Sequence, residues 1–116
     1  TVLTEYTFSA NTDDREDCAK DSNFSTSTFQ LTAYRRGGML NFYWNINVPL
    51  LAAATEVTMG TFSRLIVPLG RNVTCAGQKD GHYLIQFKSS GAITIYSTNG
   101  ATSQVVRGSF TMPAYL

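Results

Sequence analysis

The sequence predicts an all-β domain, an antiparallel barrel or sandwich, from three observations. Apolar and polar residues alternate with a period of two along several short segments, as in strands with one buried face. Glycine, proline, asparagine and serine stand between these segments, where turns are expected. The chain has 116 residues, 43% of them hydrophobic, which is enough to fill one core. Short strands at this spacing are typical of sandwiches and barrels.

The clearest strand is predicted over residues 40–48, where every second side chain is apolar. The same alternation over residues 29–34 predicts a hairpin whose turn is at 35–38. Trp44 alternates with apolar neighbours, so it is expected to pack in the core rather than to stack on a sugar. The remaining strands are predicted at residues 56–59, 65–67, 73–76, 82–87, 92–97 and 105–112.

The hairpin over residues 82–97 can be predicted to its register. Opposed residues must share a face, and a three-residue loop meets this condition by pairing Phe87 with Ile93. That loop ends at Gly91, where a type I turn followed by a bulge requires positive φ. The outer face of the hairpin then carries Leu84 opposite Tyr96, Gln86 opposite Thr94, and His82 near Thr98. Arg107, on the polar face of the last strand, joins this patch if that strand is the hairpin's neighbour.

This patch has the residue types of a saccharide site. Tyr96 is an aromatic residue on a polar face, where it can stack on a sugar ring. The guanidinium group of Arg107 donates hydrogen bonds suited to hydroxyl or phosphate oxygens. His82 and Gln86 add further hydrogen-bonding groups, although an ordinary solvated face has the same composition.

The composition argues against several other functions. The formal net charge is +1, so no overall field favours nucleic acid, and no apolar run is long enough to insert into a membrane as a helix. The single histidine, His82, provides neither a catalytic triad nor a metal set, so we expect no enzyme activity and no cofactor. The acids within residues 1–21 are expected to form a solvated loop. They are Glu5, Asp13, Asp14, Glu16, Asp17 and Asp21.

The two cysteines, Cys18 and Cys75, are expected to be free thiols of a protein that folds in a reducing cytoplasm. Together with Trp44 they nominally match the cysteine–tryptophan–cysteine pattern of immunoglobulin domains. A secreted, lectin-like sandwich with a disulfide therefore stays open as an alternative.

Three segments, taken together in their order along the chain, resemble the sequence pattern of a known family. They are VTMGT at residues 57–61, GHYLIQFKSSGAITIY at 81–96 and VRGSF at 106–110. With the upstream strands, this pattern resembles the C-terminal head domain of the receptor-binding proteins of lactococcal siphophages. The resemblance covers residues 28–116 and implies a head domain there, with residues 1–27 as a junction segment that contains the acidic loop.

The resemblance implies a non-enzymatic, jelly-roll-like β-barrel head that forms a homotrimer at the phage tail tip or baseplate. Such heads bind saccharides of the host cell surface during adsorption. The expected ligand is a cell-wall polysaccharide, including glycerol-phosphate types, and other baseplate proteins would be contacted through the N-terminal part. A purely structural baseplate or fibre module is the alternative.

The family's site residues carry over in part. Its aromatic residue corresponds to Tyr96 and its arginine to Arg107. At the positions of its histidine and acid this chain has Leu84 and Gln86. His82, one pleat away on the same face, could replace the missing histidine.

Overall fold

A computed structural model of the chain describes residues 15–24, 28–36, 39–63 and 70–113. Over these residues the chain forms strands with no helix between them. The strands are β1 (Arg15–Asp17), β2 (Ala19–Lys20), β3 (Phe29–Arg36), β4 (Met39–Val48), β5 (Val57–Thr61), β6 (Arg71–Ala76), β7 (His82–Phe87), β8 (Ala92–Tyr96) and β9 (Gln104–Pro113). No helix in the described part of the chain is long and apolar enough to cross a membrane.

The strands form two antiparallel sheets that pack as a sandwich, so the predicted all-β class is confirmed. One sheet has the order β1-β3-β4-β9 and the other has the order β2-β5-β8-β7-β6. Three antiparallel strand pairs are nested, so that each pair encloses the next along the chain: β4 with β9, β5 with β8 and β6 with β7. The chain also changes sheets at Cys18, which separates β1 from β2.

Both predicted hairpins are present. In the β7–β8 hairpin, Phe87 pairs with Ile93 and Leu84 with Tyr96, which is the predicted register. Gly91 has a φ of 94°, as the predicted loop requires. In the β3–β4 hairpin, pairing continues to Arg36 opposite Met39. The strand therefore extends through residues 35 and 36, which were predicted in the turn, while residues 37–38 and the predicted strand at 65–67 lie outside the described residues.

Part of the predicted junction segment belongs to the sandwich instead. β1 pairs with β3 and β2 pairs with β5, so residues 15–20 contribute to both sheets. Phe24 is buried and packs edge-on against Phe29, with ring centroids 5.9 Å apart. The Glu16 carboxylate accepts hydrogen bonds from both the backbone and the hydroxyl of Ser63. The described acids therefore have structural partners, and the fold does not begin at residue 28; residues 1–14 lie outside the described residues.

The core lies between the sheets and is centred on aromatic side chains. Phe42 of β4 contacts Phe87 of β7 across the interior, with ring centroids 4.7 Å apart. Phe62 and Phe110 surround Phe42 at 6.2 Å and 6.3 Å. Because the inner residues alternate along each strand, burying this cluster fixes which residues point outward.

Trp44 packs in the core, as predicted, and its fit depends on a glycine. Trp44 is only 3% exposed and lies opposite Gly108 on β9. A Cβ atom at residue 108 would lie 2.5 Å from Cζ2 of Trp44 and 3.0 Å from Nε1. The indole ring therefore occupies the space that any other side chain at residue 108 would take.

We predict that Gly108→Ala destabilises the domain by about 1–3 kcal/mol, because the added methyl group overpacks the indole. Urea unfolding followed by tryptophan fluorescence measures the change. Ser109→Ala, on the exposed side of the same strand, is the control and should change the unfolding free energy by less than about 0.5 kcal/mol. Equal effects of the two variants would contradict the packing argument.

The two cysteines are free and lie at opposite edges of the five-stranded sheet. Four strand spacings of about 4.8 Å separate these edges by about 19 Å, whereas a disulfide requires Cα atoms within about 7 Å. Burial raises the pKa of Cys18 from 9.0 to about 12 and that of Cys75 to about 11. These shifts stabilise the folded state below about pH 9, and the contribution is lost as the pH rises through the folded-state values.

We predict that unfolding in denaturant without reductant releases two titratable thiols per chain. In the folded protein both thiols should react with an aromatic disulfide reagent at least about tenfold more slowly than after unfolding, because little thiolate is present. A count below two in the unfolded protein would show that the cysteines are bridged.

Candidate functional site

The outer face of the β7–β8 hairpin brings four of the predicted site residues together. Leu84 lies directly opposite Tyr96, and Gln86 lies directly opposite Thr94. The side chains of Leu84, Gln86 and Tyr96 are partly exposed. These residues face solvent because Ile85, Phe87 and their partners on β8 fill the core.

Glu56 completes this site and was not anticipated from the sequence. It directly precedes β5, in which Val57 pairs with Ile95 of β8. Glu56 therefore lies next to Tyr96, and together with Leu84 and Gln86 these residues line an open cleft of about 220 Å³. We call this the hairpin cleft. The alternation of Glu56 with Thr58 indicated an outward position, but the pairing of β5 with β8 is what brings it to Tyr96.

A polar network supports one side of the hairpin cleft. Glu56 Oε1 lies 2.8 Å from Lys88 Nζ, and both side chains are 45% exposed. Hydrogen bonds from Lys88 and then from Thr94 hold the pKa of Glu56 below its ordinary value, so the carboxylate is ionised at neutral pH. The single hydroxyl proton of Thr94 is shared between this carboxylate and Gln86 Oε1, which lies 3.3 Å away. Although Thr94 points outward, it is only 3% exposed, so it supports the cleft from below instead of facing a ligand.

His82 lies away from the hairpin cleft, at the end of the sandwich where loops meet. It lines two neighbouring depressions of about 610 Å³ and about 220 Å³. Thr98 lines the smaller one, in agreement with the predicted proximity of the two residues. The larger one also contains Leu50, which is 72% exposed. His82 is therefore not among the residues that line the hairpin cleft, although it stands one pleat from Leu84 on β7.

Arg107 lies on the other sheet, and the expectation that it joins the hairpin patch is wrong. β9 pairs with β4 along ten residues, from Met39 opposite Pro113 to Val48 opposite Gln104. Arg107 is outward-facing there and donates from Nε to Asn45 Oδ1 at 3.2 Å. Since the two sheets are stacked, Arg107 and Tyr96 are on opposite outer faces of the domain.

The outer face around Arg107 is flat and polar. Tyr34 and Tyr43 pack edge-on with ring centroids 5.8 Å apart. Thr111 donates to Asn41 Oδ1 at 3.1 Å across β4 and β9. These contacts are cross-strand pairs that stabilise a sheet, and Arg107 is not among the residues that line the hairpin cleft.

A buried glutamine holds the loop end that carries His82. Gln104 Oε1 accepts hydrogen bonds from the backbone N–H groups of Lys79 and Asp80, at 2.8 Å and 3.1 Å. Its Nε2 lies 3.0 Å from Asp80 Oδ1 and 2.9 Å from the hydroxyl of Tyr83. One side chain thereby fixes the turn between β6 and β7 that leads into His82.

The described residues carry no group of three or more His, Cys, Asp or Glu side chains that could hold a metal ion. What the hairpin cleft offers is an aromatic ring, an apolar side chain, an amide and a carboxylate. Such a set can make stacking contacts and hydrogen bonds. A scan against protein-family models found no match to the chain, and a search of curated proteins found no similar sequence.

We predict that Gln104→Leu destabilises the domain by about 1–3 kcal/mol, because two backbone donors lose their buried acceptor. Hydrogen exchange at Lys79 and Asp80 should accelerate by at least about tenfold in this variant. Gln78→Leu, which changes an exposed neighbouring side chain, serves as the control. Unchanged exchange in Gln104→Leu would show that the turn does not depend on the buried amide.

Proposed function

We propose that this domain is the saccharide-binding head of a phage adhesin, which recognises the host cell surface during adsorption. The observation that carries the proposal is the hairpin cleft, in which Tyr96 lies beside Glu56 and Gln86 on an exposed sheet face. The resemblance to receptor-binding heads of lactococcal siphophages supports the biological setting.

The composition of the cleft suits a sugar ring. The Tyr96 ring can stack on the C–H face of a pyranose, and Leu84 extends that apolar surface. The Glu56 carboxylate and the Gln86 amide can hydrogen-bond the hydroxyl groups around the ring. These groups are positioned by paired strands, so little freedom is lost on binding. At about 220 Å³ the cleft is smaller than the pockets of drug-sized ligands, so it takes only a part of a longer polysaccharide.

The wider assembly is proposed from the resemblance. The domain would act as a homotrimer at the tail tip or baseplate of the virion, attached to other baseplate proteins through its N-terminal part. It would bind without catalysing a reaction. A secreted immunoglobulin-like or lectin-like domain fits less well, because the separation of Cys18 and Cys75 prevents the inter-sheet disulfide of that class.

We predict that Tyr96→Ala weakens binding to host cells by at least about tenfold, as expected for an aromatic residue at the centre of a small site. Binding of the labelled domain to host cells, and its competition with phage adsorption, measure the effect, and the mass in solution tests the trimer. Arg107→Ala is the control on the opposite face and should bind as the unmodified domain does.

Two outcomes would contradict this assignment. If Arg107→Ala abolishes binding and Tyr96→Ala does not, the site lies on the four-stranded sheet. If the unmodified domain neither binds host cells nor competes with phage, the domain is a structural module of the baseplate or fibre.

A further inference from the structure

The charge lining the hairpin cleft has a single sign. Among the described residues that line it, the ionisable ones are Glu56 and Tyr96, and Glu56 is an anion. The nearest described cation, Lys88, is engaged with the Glu56 carboxylate at 2.8 Å and is not part of the lining. Arg107, which is expected at this site from the sequence, belongs to the opposite sheet.

We propose that the hairpin cleft selects uncharged, hydroxyl-bearing saccharides and discriminates against phosphate-bearing ones. This proposal rests on the saccharide-binding function proposed above and specifies its ligand class. Glu56 is the residue that decides the preference, since it carries the net charge among the described residues that line the cleft.

The chemistry of the carboxylate explains the selection. An ionised carboxylate only accepts hydrogen bonds, and sugar hydroxyls are the donors that complement it. A fully ionised phosphate in the same position carries negative charge and only accepts hydrogen bonds, so it is repelled by the Glu56 carboxylate and cannot donate to it. The Gln86 amide nitrogen and the Tyr96 hydroxyl can donate to a phosphate oxygen, but neither supplies the positive charge that would offset the repulsion.

Lys88 holds the Glu56 carboxylate in position, and we expect the preference for uncharged sugars to persist with this ion pair in place. Its ammonium group lies on Oε1 of Glu56, which leaves lone pairs of the carboxylate for a ligand. Thr94, which is only 3% exposed, also hydrogen-bonds this carboxylate. Exposed ion pairs are screened by salt, whereas hydrogen bonds to an uncharged sugar are not. Binding of the preferred ligands should therefore change little with ionic strength.

Titrations of the full 116-residue chain with matched sugars test the proposal. The probes are the methyl glycosides of glucose, galactose and N-acetylglucosamine, each compared with its 6-phosphate, together with a neutral polysaccharide and poly(glycerol phosphate). Amide shifts at Leu84, Gln86 and Tyr96 report binding in the cleft at low and high salt. We expect at least one neutral probe to bind at least about tenfold more tightly than its phosphorylated counterpart, with little dependence on salt.

The variant Glu56→Gln tests the role of the charge. It should weaken binding of the neutral probe by about tenfold and reduce the preference over the phosphorylated sugar. Asp21→Asn makes the same acid-to-amide change outside the cleft, where the carboxylate accepts from the backbone of Asn23, and it should leave both affinities unchanged. Amide spectra of both variants establish that they fold.

The outcomes separate this proposal from the one on which it rests. Phosphorylated probes that bind the cleft as tightly as neutral ones, or more tightly, would overturn the selectivity and leave saccharide binding in place. An unchanged preference in Glu56→Gln would overturn the role of the carboxylate. If no probe shifts the amide signals of the cleft residues, the proposed function itself fails, and the proposed selectivity fails with it.

Discussion

The contact between Phe42 and Phe87, with ring centroids 4.7 Å apart, is the interaction on which the rest of the structure depends. It joins the two sheets, since Phe42 belongs to β4 and Phe87 to β7. In a strand, fixing one inner side chain fixes the direction of its neighbours. Once Phe87 points inward, Gln86 and Leu84 must point outward. The hairpin cleft is therefore a consequence of how the core is packed on the other side of the same strand.

Local patterns in the sequence were sufficient to predict much of this arrangement. The three-residue loop ending at Gly91 and the pairing of Leu84 with Tyr96 involve residues close in the chain, so alternation and turn chemistry determine them. The position of Arg107 could not be predicted in this way. It lies opposite Asn45, 62 residues earlier in the chain, and alternation fixes the face of a strand without naming its neighbour. Glu56 was missed for the same reason, because its proximity to Tyr96 comes from the pairing of β5 with β8.

The outer faces of the two sheets differ in what they could contact. The five-stranded sheet has a cleft in which an aromatic ring, an amide and a carboxylate converge. The four-stranded sheet carries cross-strand pairs such as Asn41 with Thr111, whose polar atoms already bond to each other. Polar groups that already hydrogen-bond to each other within a sheet are less available to a ligand than groups that line an open cleft. This contrast favours the hairpin cleft over the face that holds Arg107.

The separation of Cys18 and Cys75 determines how the domain responds to reducing and oxidising conditions. Because no disulfide links them, the fold is held by packing and hydrogen bonds and not by a covalent cross-link. Such a domain needs no thiol-oxidising machinery to reach its final state. The fold it reaches should therefore be the same with and without a reductant.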